Sequence, residues 1–210
     1  MLFRSNYLEN YHIPIGHPGL QRLLVEEEEH LELEGGLALG SFRVRDKPSK
    51  VAVEAKYQEL FPSASGRLPA ESKHRWIQMG LAPNLGIDMY PELMDVFQIQ
   101  PLEVNRTLIT TSVYGPREVS AEIEELQRLN LEINSHVNDE DRELCLNVQR
   151  GLGTAGYSPG PLAAQESSIH HFHCLIRDAL PVASLREEPR SESVMAANER
   201  MLAEIGRAHV

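Results

Sequence analysis

Arg75-Trp76-Ile77-Gln78-Met79-Gly80-Leu81, followed after Ala82-Pro83-Asn84 by Leu85-Gly86-Ile87-Asp88-Met89-Tyr90, opens the stretch that decides the fold. Met94 to Leu102 and Thr107 to Tyr114 continue it as two more runs rich in β-branched and aromatic residues, with Val104-Asn105-Arg106 between them. Short apolar runs separated by turn residues at this regular spacing predict an antiparallel meander. Towards the amino terminus, His30-Leu31-Glu32-Leu33-Glu34 and Ser41-Phe42-Arg43-Val44-Arg45 alternate at period two around Gly35-Gly36, which predicts two further strands. The acidic run Glu26 to Glu29 ahead of them reads as a solvated loop or helix edge. Between the strand groups, Val51 to Leu60 reads as a short helix in a loop-rich segment.

Past Val119 the period changes to that of a helix, with Ile123, Leu126, Leu129, Leu131 and Ile133 on one stripe. A second helix is predicted from Asn138 to Gln149, then a glycine-rich loop over 151–161. A last helix carries His170-His171-Phe172-His173, with Phe172, Leu175, Ile176 and Leu180 as its core face. The order helix, strands, long helices predicts an α+β fold, an antiparallel sheet with helices on one face.

At 210 residues and 41% hydrophobic content, one domain is expected, over residues 1–185. Residues 186–210 read as a poorly structured tail, and Ile205 to Val210 match what adapter read-through would encode, a sequence artefact. Apolar runs long enough to span a membrane are lacking, and the net charge of −11 disfavours nucleic acid and anionic membranes as partners. Two cysteines, Cys145 and Cys174, give no sign of an oxidising compartment, and a cytoplasmic protein is expected.

The chemistry-bearing stretch is Asn6-Tyr7-Leu8-Glu9-Asn10-Tyr11-His12-Ile13-Pro14-Ile15-Gly16-His17-Pro18. Five residues along a regular helix separate two side chains by about 140°, so His12 and His17 converge only if the helix breaks between them. Pro14, Gly16 and Pro18 supply a break, with His12 expected to close a helix and His17 to lie just past it. Imidazole suits zinc, copper, iron and nickel alike, so the pair does not name a metal, and packed histidines at a helix end are the plain alternative. Asn6 and Glu9 have the spacing of a capping box. In a helix, Asp141 shares a face with Cys145, Val148 and Leu152, where it is either a buried carboxylate in need of a partner or an acid near a helix start.

Three blocks in order, Asn6 to Leu20, Glu140-Asp141-Arg142 running into Val148 to Leu152, and His170 to His173, resemble the large subunit of Rieske non-haem iron ring-hydroxylating oxygenases. That resemblance implies a mononuclear Fe(II) held by His12, His17 and Asp141, with Asp139 or Glu140 as the acid if the register slips. It further implies a helix-grip (START-like) sheet around a long carboxy-terminal helix, and hydroxylation of an aromatic or other small organic substrate with dioxygen, as in aromatic hydrocarbon catabolism. In the family, electrons come through a ferredoxin or reductase and a Rieske [2Fe-2S] cluster on a neighbouring subunit of a homotrimer, and Glu9 matches the acid that bridges the two metal centres. The cluster needs paired Cys-x-His and Cys-x-x-His ligands, and neither Cys145 nor Cys174 stands in such a pair. The chain therefore reads as a catalytic domain whose Rieske half is missing. A non-catalytic helix-grip ligand binder and a zinc hydrolase built on the same three residues are the rival expectations.

Overall fold

The computed structural model describes residues 2–208. Six strands, β1 (Leu24–Glu34), β2 (Leu37–Val44), β3 (Arg75–Leu81), β4 (Leu85–Met89), β5 (Met94–Glu103) and β6 (Arg106–Tyr114), form one sheet in chain order, each antiparallel to the next. The helices are α1 (Leu2–Tyr7), α2 (Ile13–Gly16), α3 (Pro18–Leu23), α4 (Ala52–Ala64), α5 (Ala121–Leu152), α6 (Ser167–Ala179) and α7 (Val194–Ala208). The expected α+β class and meander are present, and the acidic run Glu26 to Glu29 falls within β1 rather than in a loop.

The main core lies between α4, α5 and one face of the sheet: Tyr57, Leu60 and Phe61 from α4, and Leu126, Leu129 and Ile133 from α5, pack with Val44 and Trp76. Full burial of side chains of this size contributes about 1.5–3 kcal/mol each. Within this core, Tyr57 Oη donates to Glu92 Oε1 (2.9 Å) and accepts from Trp76 Nε1 (3.0 Å), while Asn130 Nδ2 also reaches Glu92 Oε1 (2.8 Å). Burial pushes the Glu92 carboxyl up to about 7, so these polar groups are held by one another rather than by water.

One continuous helix of 32 residues, α5, replaces the two that the sequence pattern suggested. Ser120 caps it by accepting from the Ile123 backbone N–H (3.3 Å), Glu122 and Glu124 sit in its first turn and Arg150 in its last, each favourable to the helix dipole. Leu126, Leu129, Ile133, Val137 and Asp141 recur at steps of three or four, so the stripe that fills the core ends in the carboxylate.

The other end of the same sheet face receives the start of the chain. Gly80 and Gly86 are cross-strand partners on β3 and β4, and a Cβ on either would lie 2.7 Å from Leu8 Cδ2 or 2.8 Å from Tyr7 Cζ. Only glycine at both lets the α1 end seat there. Leu8 packs with Ile169 and Phe172 of α6, so α6 closes this end. Leu180, expected in the α6 core face, is exposed, because the helix has already ended at Ala179.

The segment expected to be a poorly structured tail holds α7 instead. Ala197 is fully buried and Asn198 Oδ1 accepts from the Val182 backbone N–H (3.2 Å), contacts that low apolar content conceals. Of the suspected artefact, Ile205 to Ala208 close α7, and the last two positions, 209–210, lie outside the described residues.

Candidate metal centre

The site is made by the break after α1. The chain leaves α1 at Tyr7 and enters α2 with His12 as the residue flanking its start. Pro14 and Pro18 occupy the first turns of α2 and α3, where a missing N–H costs nothing. His17 lies between those two helices. The break between the histidines is therefore present, but His12 opens a helix instead of closing one, because α1 ends five residues earlier. Glu9 lies outside α1 and its Oε2 accepts from the His12 backbone N–H (3.2 Å). Asn6 and Glu9 form no capping box, since the Asn6 side chain donates to Asp141 Oδ1 (2.5 Å).

From the middle of α5, Asp141 meets both imidazoles. His12 Nε2 and His17 Nε2 are 3.0 Å apart, His17 Nε2 and Asp141 Oδ1 2.9 Å, and His12 Nε2 and Asp141 Oδ1 3.5 Å. Three donors about 2.1 Å from one ion and about 90° apart would lie about 3.0 Å from each other, so this triangle fits three adjacent corners of an octahedron. Among the described residues, His12, His17 and Asp141 form the one cluster of three or more metal-ligating side chains.

The ring nitrogens facing away are both held. His12 Nδ1 pairs with Glu9 Oε1 (2.5 Å) and His17 Nδ1 with Glu140 Oε2 (2.8 Å). A carboxylate on the outer ring nitrogen fixes the tautomer that leaves Nε2 as the metal donor and raises its basicity. Glu140, an alternative ligand on sequence grounds, thus sits behind His17, and Asp139 is not part of the cluster. This orienting role of Glu140 is what sequence reasoning missed; its adjacency to Asp141 was the available signal. The three histidines of α6 are not brought to the site, and His171 Nε2 instead bonds the Gly35 carbonyl oxygen (2.6 Å).

Burial alone would lower the His12 pKa, but Asp141 and Glu9 outweigh it and raise it to about 9. His17 is raised against burial in the same way by Asp141 and Glu140, and Asp141, despite its own burial, is held well below the usual carboxylate range by the two imidazoles. Without a metal, the His12 ring is therefore held protonated at neutral pH beside the Asp141 carboxylate. A metal takes only neutral imidazole, so uptake at pH 7 is expected to release at least one proton per chain. Apparent affinity should fall about tenfold per pH unit for each proton released as pH drops from about 9. Titration of Fe(II) into weakly buffered chain with a pH indicator reads this directly, and uptake without proton release would contradict these pKa values.

Beside the cluster lies a cavity of about 110 Å³ that Glu9, His12, His17 and Asp141 share with Tyr7, Trp76, Asp88, Tyr90 and Phe97. A cavity of about 150 Å³ accepts benzene, so this one is of the size that takes a small molecule. No helix among the described residues is long and apolar enough to cross a membrane.

Choline monooxygenase of Arabidopsis thaliana, a chloroplastic protein, is 27% identical over 189 residues, covering 85% of this chain and 39% of its own length. Putrescine 2-hydroxylase of Bordetella bronchiseptica is 25% identical over 179 residues, covering 81% of this chain and 41% of its own. A solved quaternary ammonium Rieske monooxygenase, described for carnitine oxidation and inter-subunit electron transfer, superposes with a TM-score of 0.62 at 19% identity over 83% of this chain and 45% of its own. The chain thus spans about two-fifths of the length of these curated relatives. The model of the ring hydroxylating alpha subunit catalytic domain matches residues 2–182, and the chain belongs to that family of oxygenases.

Proposed function

We propose that the chain is the oxygen-activating domain of a Rieske-type oxygenase, with His12, His17 and Asp141 holding one Fe(II) and a small organic substrate in the adjoining cavity. The observation that carries this is the convergence of two Nε2 atoms and one carboxylate oxygen within 3.5 Å, each imidazole backed by its own carboxylate. Fe(II) bound there would supply reductive activation of dioxygen, one oxygen atom entering the substrate and the other leaving as water, with two protons taken up and two electrons delivered one at a time through a Rieske cluster that is re-reduced between them.

The chain's own residues do the rest. Glu9 and Glu140 aim the two Nε2 atoms at one point, and Asn6 steadies the Asp141 carboxylate. Leu20, Leu24 and Phe42 line the cavity near the cluster and keep bulk water out. In our reading the cluster belongs to a neighbouring subunit of a homotrimer fed by a ferredoxin or reductase, and Glu9 faces it. The sheet closing on α5 is read as a helix-grip arrangement.

The relatives are named for choline, carnitine and putrescine, all compounds with a cationic nitrogen. That favours a small nitrogenous substrate over an aromatic hydrocarbon. Anaerobic reconstitution followed by metal analysis tests the metal reading. Close to one Fe(II) per chain is expected, and uptake of zinc with exclusion of iron would overturn it.

A further inference from the structure

The lining of the cavity combines aromatic rings with a half-buried acid, Asp88. Trp76 and Tyr90 meet edge to face with ring centres 5.1 Å apart, and Tyr7 and Phe97 are tilted at 5.8 Å. Asp88 takes a hydrogen bond from Tyr7 Oη on Oδ1 (2.8 Å), and among the described residues nothing bonds Oδ2. The other acids lining the cavity are engaged, Glu9 by His12 and Asp141 by His17 and Asn6.

Asp88 is also the cross-strand partner of Asp95, so the two carboxylates share one face of the sheet. Like charges directly opposite in a sheet are unfavourable, the more so when water is excluded. Asp95 is only 3% exposed, and its Oδ1 has no hydrogen-bond partner among the described residues. Among the described residues, no lysine or arginine lines the cavity. Burial pushes Asp88 up to about 7 and Asp95 up to about 6, as expected for acids left without a cation. The Arg4 guanidinium lies over the Tyr7 ring, 5.8 Å from its centre, and is not among the residues that line the cavity; a carboxylate beside aromatic rings is an environment that attracts an ammonium group.

We propose that Asp88, backed by Asp95 and framed by Tyr7, Trp76, Tyr90 and Phe97, is the specificity-determining carboxylate that receives the cationic nitrogen of a small alkylammonium substrate. This rests on the reading of the cavity as the substrate pocket, and adds the residues that choose the substrate by its charge. A guest held at Asp88 shares its cavity with His12, His17 and Asp141. Neutral molecules of the same shape would leave the acid pair without a partner.

Trp76 is the sole tryptophan of the chain, so its fluorescence reports this wall alone. The 210-residue chain is titrated at about pH 8.5, where Asp88 is ionised, with choline, with butylammonium, and with 3,3-dimethylbutan-1-ol, the uncharged isostere of choline. Saturable quenching by at least one cation, at least about tenfold tighter than any response to the alcohol, is expected; tenfold is about 1.4 kcal/mol. Asp88→Asn, nearly isosteric, should abolish that preference while leaving the tryptophan emission maximum and the thermal midpoint close to those of the wild type. Equal affinity for alcohol and cation, no saturable response to either cation, or a preference unchanged in Asp88→Asn would each overturn the proposal. Should Asp88→Asn fail to fold, the cation-to-alcohol ratio in the wild type decides alone. Iron content of the same samples separates this from the metal assignment, because cation preference without iron uptake contradicts the triad and spares Asp88, and the converse does the reverse.

Discussion

His17→Ala is expected to remove detectable Fe(II) from a chain that otherwise takes up close to one ion on anaerobic reconstitution. His17 is 1% exposed, contributes one of three donors, and links Asp141 on one side to Glu140 on the other. Its loss leaves His12 and Asp141 alone, two donors 3.5 Å apart with no third to complete a face. Losing an outer partner costs a metal site about 10–100-fold in affinity, and loss of a donor should exceed that. Glu140→Ala supplies the internal comparison: it removes only the acceptor behind His17 Nδ1, so binding should weaken within about that 10–100-fold range and survive at high metal. Circular dichroism of both variants guards against unfolding. Equal, wild-type iron content in both would mean that the triad does not hold the metal.

Glu9→Gln is expected to leave iron in place and slow electron delivery by orders of magnitude. The glutamine carbonyl oxygen still accepts from one of the two groups that Glu9 now holds, His12 Nδ1 and the His12 backbone N–H. Ligand orientation and iron uptake should therefore change little. What the amide lacks is the negative charge that would draw a partner's histidine across a subunit boundary. In an assembly that supplies the reduced Rieske cluster, stopped-flow measurement of cluster reoxidation separates the two roles. A rate within a few-fold of wild type would leave Glu9 as an orienting group for His12 alone.

The meander was legible because each of its runs is bounded by residues that favour turns, and β3 to β6 lie within a residue or so of the runs read from sequence. What escaped was decided by partners distant in the chain. Asn134 to Asn138 looks like a polar interruption, yet Asn134 bonds Asn130 (2.7 Å), which bonds Glu92 under the sheet (2.8 Å), so the helix runs on through it. Glu26 to Glu29 carries no alternation, and pairing with β2 on either side of it makes it strand. The site was legible as a pair of histidines needing a chain break, and the family resemblance pointed to Asp141. Asp88 was not legible as a site residue. In Leu85-Gly86-Ile87-Asp88-Met89-Tyr90 the apolar alternate residues suggest the inner face, but the small cleft left by Gly86 for Tyr7 turns the Gly86, Asp88 and Tyr90 side inward.

Anomalous diffraction at the iron edge from crystals grown anaerobically with Fe(II) tests the central claim most directly. The account predicts one strong peak per chain within bonding distance of His12 Nε2, His17 Nε2 and Asp141, with Glu9 and Glu140 still on the outer ring nitrogens. No peak between those three side chains, or a peak only elsewhere, such as beside His170 and Cys174, would contradict it.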